Sequence, residues 1–174
     1  MTAKEFMKAI SHDSGNIIEI FLDMLKQTRT PYCLIGGLAV NAYVEPVVSL
    51  DLDIVVITAN RNTLCQKAID HGLKVEECPH SINLSSIASE IRIQLQTDIR
   101  YQDFILRSSL RKVLGYRMVV ACLEDVLQGK VWAYQDESRR KSKKQKDLAD
   151  IARIIETYPD LLSSLPESIR TLLQ

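Results

Sequence analysis

An α+β fold is predicted for this 174-residue chain: a mixed β-sheet flanked by helices, with a helical C-terminal part. Two observations carry the prediction. Strand-type runs concentrate between residues 32 and 121, while helical spacing of apolar residues dominates on either side. Within the middle stretch, Ile91, Ile93, Leu95 and Thr97 alternate with Arg92, Gln94, Gln96 and Asp98, the period of a strand with one polar face.

In chain order, Thr2 and Glu5 have capping-box spacing, and Phe6, Met7 and Ile10 give a short helix its apolar side. Asp13-Ser14-Gly15 breaks it, and Ile17, Ile18, Phe21, Met24 and Leu25 repeat at helical spacing as far as Thr28. Pro31 stops that pattern before the strand-type run Tyr32–Ile35. Gly36-Gly37 is a sharp turn, then a short helix covers Leu38–Tyr43 and a strand covers Val47–Ile57. Asn62 or Thr63 caps a helix that runs to His71, with Gly72 as its stop. Lys74–Glu76 reads as a short strand, and residues 77–90 give no single signal. A helix over Gln102–Arg111 and a strand over Arg117–Ala121 follow the alternating segment. Leu123, Val126, Leu127 and Val131 then form a helix face, with Glu124 and Asp125 where the helix dipole favours acids. Ser138–Lys144 reads as a polar connector, Leu148–Ile155 as a helix closed by Pro159, and a short helix restarts after Ser164-Leu165-Pro166. The expected organisation is a core over 1–121 and a helical region over 122–174 packed on it.

Composition excludes several classes. Lys plus Arg equals Asp plus Glu at 22 each, so overall charge names no partner. The four cysteines contain no Cys-x-x-Cys, and Cys78-Pro79-His80 lacks the second pair that a zinc site needs. The first residues mix both charges without an apolar stretch, and no apolar run has membrane-spanning length. A cytoplasmic location and no membrane partner are expected.

The chemistry concentrates in Asp51-Leu52-Asp53. On a strand both aspartates share a face, about 6.6 Å apart at about 3.3 Å per residue, while Leu52 points away. Two acids side by side in an apolar strand repel each other unless a cation or water relieves them, and magnesium takes such oxygen ligands. Alone, an Asp-x-Asp also fits a solvated strand end or a sugar transferase. The upstream Gly36-Gly37 turn, leading from a strand into a helix, lets backbone N–H groups approach a phosphate closely.

This order, strand, Gly-Gly, short helix and strand with Asp-x-Asp, resembles the nucleotidyltransferase superfamily, the polymerase-β-like fold. The segments Leu123–Lys130 and Gln145–Ile151 look like downstream helices of the subgroup found in abortive-infection and type IV toxin–antitoxin systems. The resemblance spans roughly residues 30–156. It implies a magnesium-dependent transfer of a nucleotidyl group from a nucleoside triphosphate to a hydroxyl acceptor. Asp51 and Asp53 would bind the metal, roughly two ions about 3.5–4 Å apart. Gly36 and Gly37 would hold the triphosphate, with Ser49, Lys130 and Lys146 as further phosphate contacts and Asp147 and Asp150 as supporting residues. An antitoxin or toxin partner is implied as well.

One departure stands out. The superfamily's third carboxylate sits on a neighbouring strand, where this chain has Gln94, which accepts no proton at neutral pH. Asp98, on the same polar face, is the expected substitute and completes the catalytic set with Asp51 and Asp53. The alternative is a catalytically reduced binding protein, an antitoxin or regulatory module. Residues 139–146 hold six cations in eight positions. Arg139, Arg140, Lys141, Lys143 and Lys144 are therefore candidate contacts to the phosphates of an RNA acceptor, or a solvated helix start.

Overall fold

The computed structural model describes residues 1–173 and contains seven helices and seven strands. Helices α1 (Ala3–Ile10) and α2 (Ile17–Gln27) lead into β1 (Tyr32–Ile35), α3 (Gly36–Val40) and β2 (Asp51–Val56). Next come α4 (Arg61–Asp70), the strands β3 (Lys74–Cys78), β4 (Ser81–Ser86) and β5 (Ser89–Gln96), and the hairpin β6 (Ser109–Val113) and β7 (Tyr116–Val120). Helices α5 (Leu123–Gln135), α6 (Lys141–Thr157) and α7 (Glu167–Arg170) close the chain. The strands form one sheet in the order β3-β4-β5-β2-β1-β7-β6. It is mixed: β2 runs parallel to β5 and β1 parallel to β7, while β1 and β2 are antiparallel. The α+β expectation therefore holds, and the Thr2/Glu5 capping box forms in both directions.

Alternation along β2 fixes what the sheet presents. Leu52, Ile54 and Val56 are buried on one face, Asp51 and Asp53 stand on the other, and Val55 is buried behind them. The apolar core runs from Phe21 and Met24 of α2 through Leu34, Ile54, Ile93 and Val120 of the sheet to Val126, Ile151 and Ile154 of α5 and α6. Helix α3 packs against β1, β2, α5 and α6, so the Gly36 turn is enclosed by the elements that carry the acids and the cations.

Three local expectations are corrected, and one open segment is filled. The strand expected from Val47 starts at Asp51, because the Asn41 side chain binds the Val47 backbone on both sides, at 2.6 and 3.0 Å. Residues 77–90, which gave no single signal, form the end of β3, all of β4 and the turn into β5. Gln102–Arg111 is not one helix: a 3-10 segment covers Ile99–Arg107, and its apolar Tyr101 and Phe104 pack inward at the three-residue period of that helix. The edge strand β6 follows. The polar connector is shorter than expected, since α6 begins at Lys141. The four cysteines are unpaired, and no helix among the described residues is long and apolar enough to cross a membrane.

Candidate active site

The cleft opens where β1 ends and β2 begins, and at about 190 Å³ it is a small, open cavity. Its floor is Ile35-Gly36 and Asp51/Asp53, one wall is Gln94 and Gln96 of β5, and the other is Lys130 of α5 with Lys143 and Asp147 of α6. Gly36 carries φ of +71°, in the left-handed region that glycine tolerates. A β-carbon there would stand 3.0 Å from the Asp53 β-carbon and closer still to its carboxylate. Gly37 is not crowded in this way: its nearest neighbours would be Ser49 Oγ and Asp150 Oδ2, both at 3.7 Å. Ser49 itself is buried beside Gly37 and accepts from the Asp51 N–H at 3.4 Å.

Four carboxylates converge here, and their surroundings differ. Asp51 is held by Arg92 Nη2 at 2.7 Å and Lys143 Nζ at 3.0 Å. Burial pushes its carboxyl up, but Lys143, through its hydrogen bond and charge, and then Arg92 outweigh this and keep it below the usual range. Asp147 is bound by Lys130 Nζ at 3.0 Å and Arg139 Nε at 2.5 Å. Asp150 meets Lys130 Nζ at 2.6 Å and Arg153 Nη1 at 2.8 Å. Its Oδ2 is buried, and the ion pair with Lys130 is the one contact recorded for that atom among the described residues. Burial opposes the Lys130 charge, yet Asp150 and Asp147 together raise the ammonium pKa above its ordinary value.

Asp53 differs from the other three. Among the described residues its side chain has no hydrogen-bond or ion-pair partner, although Lys130, Arg139 and Lys143 all exert attraction on it. Burial, with Asp51 adding repulsion, raises its carboxyl above the usual range despite those cations. A half-buried carboxylate with no protein partner, facing an open cleft, is placed to receive a ligand.

The sequence-expected residues divide into two groups. Gly36, Gly37, Ser49, Asp51, Asp53, Lys130, Asp147 and Asp150 come together. Lys146 does not line the cleft: on α6 it faces solvent, while Lys143, Asp147, Asp150 and Ile154 share the inward face. Asp98 is also corrected. The strand ends at Gln96, so alternation no longer directs Asp98, which accepts from Arg100 N at 3.0 Å and from the Arg100 guanidinium at 2.7 and 2.9 Å. Gln94 stands in register with Asp53 on the neighbouring parallel strand and lines the cleft. Arg92, opposite Asp51 in the same register, was missed as a site residue, and so was Tyr101, whose hydroxyl pKa burial pushes up to about 12. Arg139 and Lys143, expected as RNA contacts, reach into the cleft. The signal for Lys143 was its i, i+4 spacing to Asp147. Among the described residues no three His, Cys, Asp or Glu side chains form a metal-binding group.

No family's sequence profile and no curated protein matches the chain. Solved structures do match in shape. The antibiotic-resistance factor ANT(2'')-Ia in solution aligns with a TM-score of 0.63 at 15% identity, over 90% of this chain and 86% of that one. The same enzyme in complex with adenylyl-2''-tobramycin gives 0.61 over 90% and 94%. The lincosamide antibiotic adenylyltransferase LnuA, lincomycin-bound, gives 0.56 at 15% identity over 81% and 98%. An antigenic nucleotidyltransferase-like protein from Paracoccidioides brasiliensis gives 0.51 at 17% identity over 89% and 78%. The class is thus defined by architecture, an α+β fold whose mixed sheet carries paired acids at an open end. Within that class, the chain has the fold of the nucleotidyltransferase superfamily.

Proposed function

We propose that this protein transfers a nucleotidyl group from a nucleoside triphosphate to a hydroxyl acceptor, using Asp51 and Asp53 as its reactive acids. The observation that carries the reading is the partnerless Asp53 carboxylate, pressed against the Gly36 turn and beside Asp51. Lys143 and Arg139, at the cleft mouth, are available to exchange their carboxylate partners for triphosphate oxygens. Lys130, held between two buried acids, keeps α5 and α6 in place behind them.

The donor set suits a divalent cation. Asp51 and Asp53 supply two carboxylates on one face, Gln94 adds a neutral amide oxygen, and bound charge would offset the burial and the Asp51 repulsion that raise Asp53. When bound, magnesium would polarise the α-phosphate and neutralise developing charge. The residues of this chain supply positioning and electrostatics: the Gly36 backbone leaves space for phosphate, Lys143 and Arg139 balance its charge, and Gln94 orients without taking a proton. The cavity is below the roughly 300–1,000 Å³ of a fully engulfing ligand site, so it encloses the phosphate end and leaves acceptor and base toward the open side.

Incubation with α-labelled ATP, CTP, GTP or UTP, magnesium and a lysate tests the reading. One nucleotide should label an acceptor in the wild type and not in Asp51→Asn/Asp53→Asn. Equal labelling by the two proteins would remove it. Gln94 favours a second reading, a nucleotide-binding protein with reduced turnover, whose signature is magnesium-nucleotide binding without label transfer. The narrower toxin–antitoxin kinship rests on Leu123–Lys130 and Gln145–Ile151. It predicts growth arrest on expression of the wild type and none with the double variant.

A further inference from the structure

Tyr101 stands on the 3-10 segment Ile99–Arg107, which the Gln102 side chain ties to the end of β2. Gln102 donates to the Val56 carbonyl at 3.1 Å and accepts from the Thr58 N–H at 3.3 Å. The Tyr101 ring meets Phe104 and Trp132 edge-on, with centroids 5.2 Å away in both cases, and those two rings stack on each other at 5.7 Å. The Arg100 guanidinium, held by Asp98, lies over the Trp132 ring at 5.0 Å. Helix α5 leaves room for this cluster. Gly129 sits mid-helix, where glycine weakens a helix, and a β-carbon there would stand 3.3 Å from the Tyr101 ring. The side chain is thus held in one place, 7% exposed, and it lines the cleft. Its hydroxyl has no hydrogen-bond partner among the described residues, yet it is not sealed from the cleft. Phenylalanine would serve the packing equally, and a buried tyrosine hydroxyl ordinarily finds a partner. Of the residues around the cleft, Arg139 and Asp53 exert their charge on this hydroxyl. Burial pushes its pKa up to about 12, so the phenol stays protonated and donates.

Resting on the nucleotidyl transfer proposed above, we propose that Tyr101 is a specificity-determining residue of that site, its hydroxyl donating to an oxygen of the pyrophosphate that leaves. The α-phosphate belongs beside Asp51 and Asp53. Arg139, which shares the Tyr101 end of the cleft, balances the phosphates beyond it. An oxygen between Arg139 and Tyr101 gains one charged and one neutral donor. Gln96 also lines this end, and its amide nitrogen has no partner among the described residues, since its Oε1 accepts from the Asp98 N–H at 3.0 Å. During transfer the acceptor oxygen bonds to the α-phosphorus as the bond from that phosphorus to the bridging oxygen breaks. Pyrophosphate leaves with the bridging oxygen and its electron pair, and the acceptor proton passes to water in the cleft. Tyr101 keeps its own proton throughout. Flexible cations such as Lys143 attract a phosphate wherever it lies, whereas a phenol fixed in one direction rewards a phosphate chain of the right length. The site thereby prefers a nucleoside triphosphate to a monophosphate.

Calorimetric titration of the wild type and Tyr101→Phe in magnesium tests the assignment. The probes are ATP, CTP, GTP and UTP, their monophosphates, and inorganic pyrophosphate. The triphosphate that binds the wild type, and pyrophosphate with it, should bind Tyr101→Phe more weakly by about tenfold or more, the loss of one hydrogen bond to a charged group. The matching monophosphate should show the same affinity, or the same absence of binding, with both proteins. Without ligand, thermal unfolding of the two should coincide, because the hydroxyl bonds to nothing within the fold. The proposal is overturned if Tyr101→Phe binds the triphosphate as tightly as the wild type, or if triphosphate and monophosphate weaken by the same factor. A lowered Tm of the ligand-free variant also overturns it, since the hydroxyl would then act within the fold. Absence of triphosphate binding to the wild type overturns the transfer reading and the Tyr101 role with it. Equal triphosphate binding by the two proteins removes the Tyr101 role alone and leaves the transfer reading standing.

Discussion

Gly36 and Asp53 share one corner of the cleft so closely that a β-carbon on Gly36 would lie 3.0 Å from that of Asp53. The crowding and the φ of +71° both exclude a side chain there. Gly36→Ala should lose about 2 kcal/mol. At this chain length that is about 4–8 °C in Tm, read by thermal unfolding. Gly37→Ala meets only ordinary contacts and should leave Tm unchanged or raise it by up to about 1 kcal/mol equivalent.

The two neighbouring aspartates should respond to neutralisation with opposite signs. Asp51 has a lowered pKa in the folded protein, so its ionised form contributes stability above the unfolded value, lost as pH falls through the folded one. Asp51→Asn should therefore lower Tm at pH 7, and the deficit should close in acid. Asp53 has a raised pKa, so its stability contribution is complete below the unfolded value and is lost as pH rises through the folded one. Asp53→Asn should raise Tm at pH 7, with the gain vanishing below about pH 4. Magnesium should then stabilise the wild type and not Asp53→Asn, by about 2.7 kcal/mol at 100 times the dissociation constant.

Lys130 is the central cation between Asp147 and Asp150, and all three side chains are buried. Lys130→Met should cost about 3–5 kcal/mol in a urea titration, because two buried acids then face each other with only Arg139 and Arg153 outside them. Lys146→Met, on the solvent side of α6, should stay within about 0.5 kcal/mol.

A third carboxylate can be supplied at the position that lacks one. Gln94→Glu, in register with Asp53, should lower Tm without metal and tighten magnesium binding by about tenfold. Asp98→Ala should leave nucleotide binding unchanged and cost about 1 kcal/mol, the loss of a helix cap.

The parts of the site legible in the sequence were those fixed by short-range geometry. Alternation put Asp51 and Asp53 on one face, and the Gly36 turn was marked by residue type alone. Gln94 was placed from the pattern of its strand, and the register Asp53↔Gln94 agrees. What escaped depended on how far elements extend and on which side they face. Asp98 was assigned to a strand that ends two residues earlier, and the Arg100 guanidinium then holds its carboxylate. Lys146 was preferred over Lys143 because helical spacing gives neighbours on a face without saying which face turns inward; the buried Asp147 and Ile151 decide it. In the fold, the 3-10 segment over Ile99–Arg107 carried helical residues on a three-residue period, and the hairpin of β4 and β5 turns at Ile87-Ala88, which holds none of the usual turn residues.

Calorimetric titration with ATP, CTP, GTP and UTP in magnesium is the most direct measurement of the central claim, that Asp51 and Asp53 form a metal-nucleotide site. Saturable binding of at least one triphosphate by the wild type, abolished in Asp51→Asn/Asp53→Asn, is the predicted result. Absence of binding to all four, or equal binding by the double variant, would contradict it.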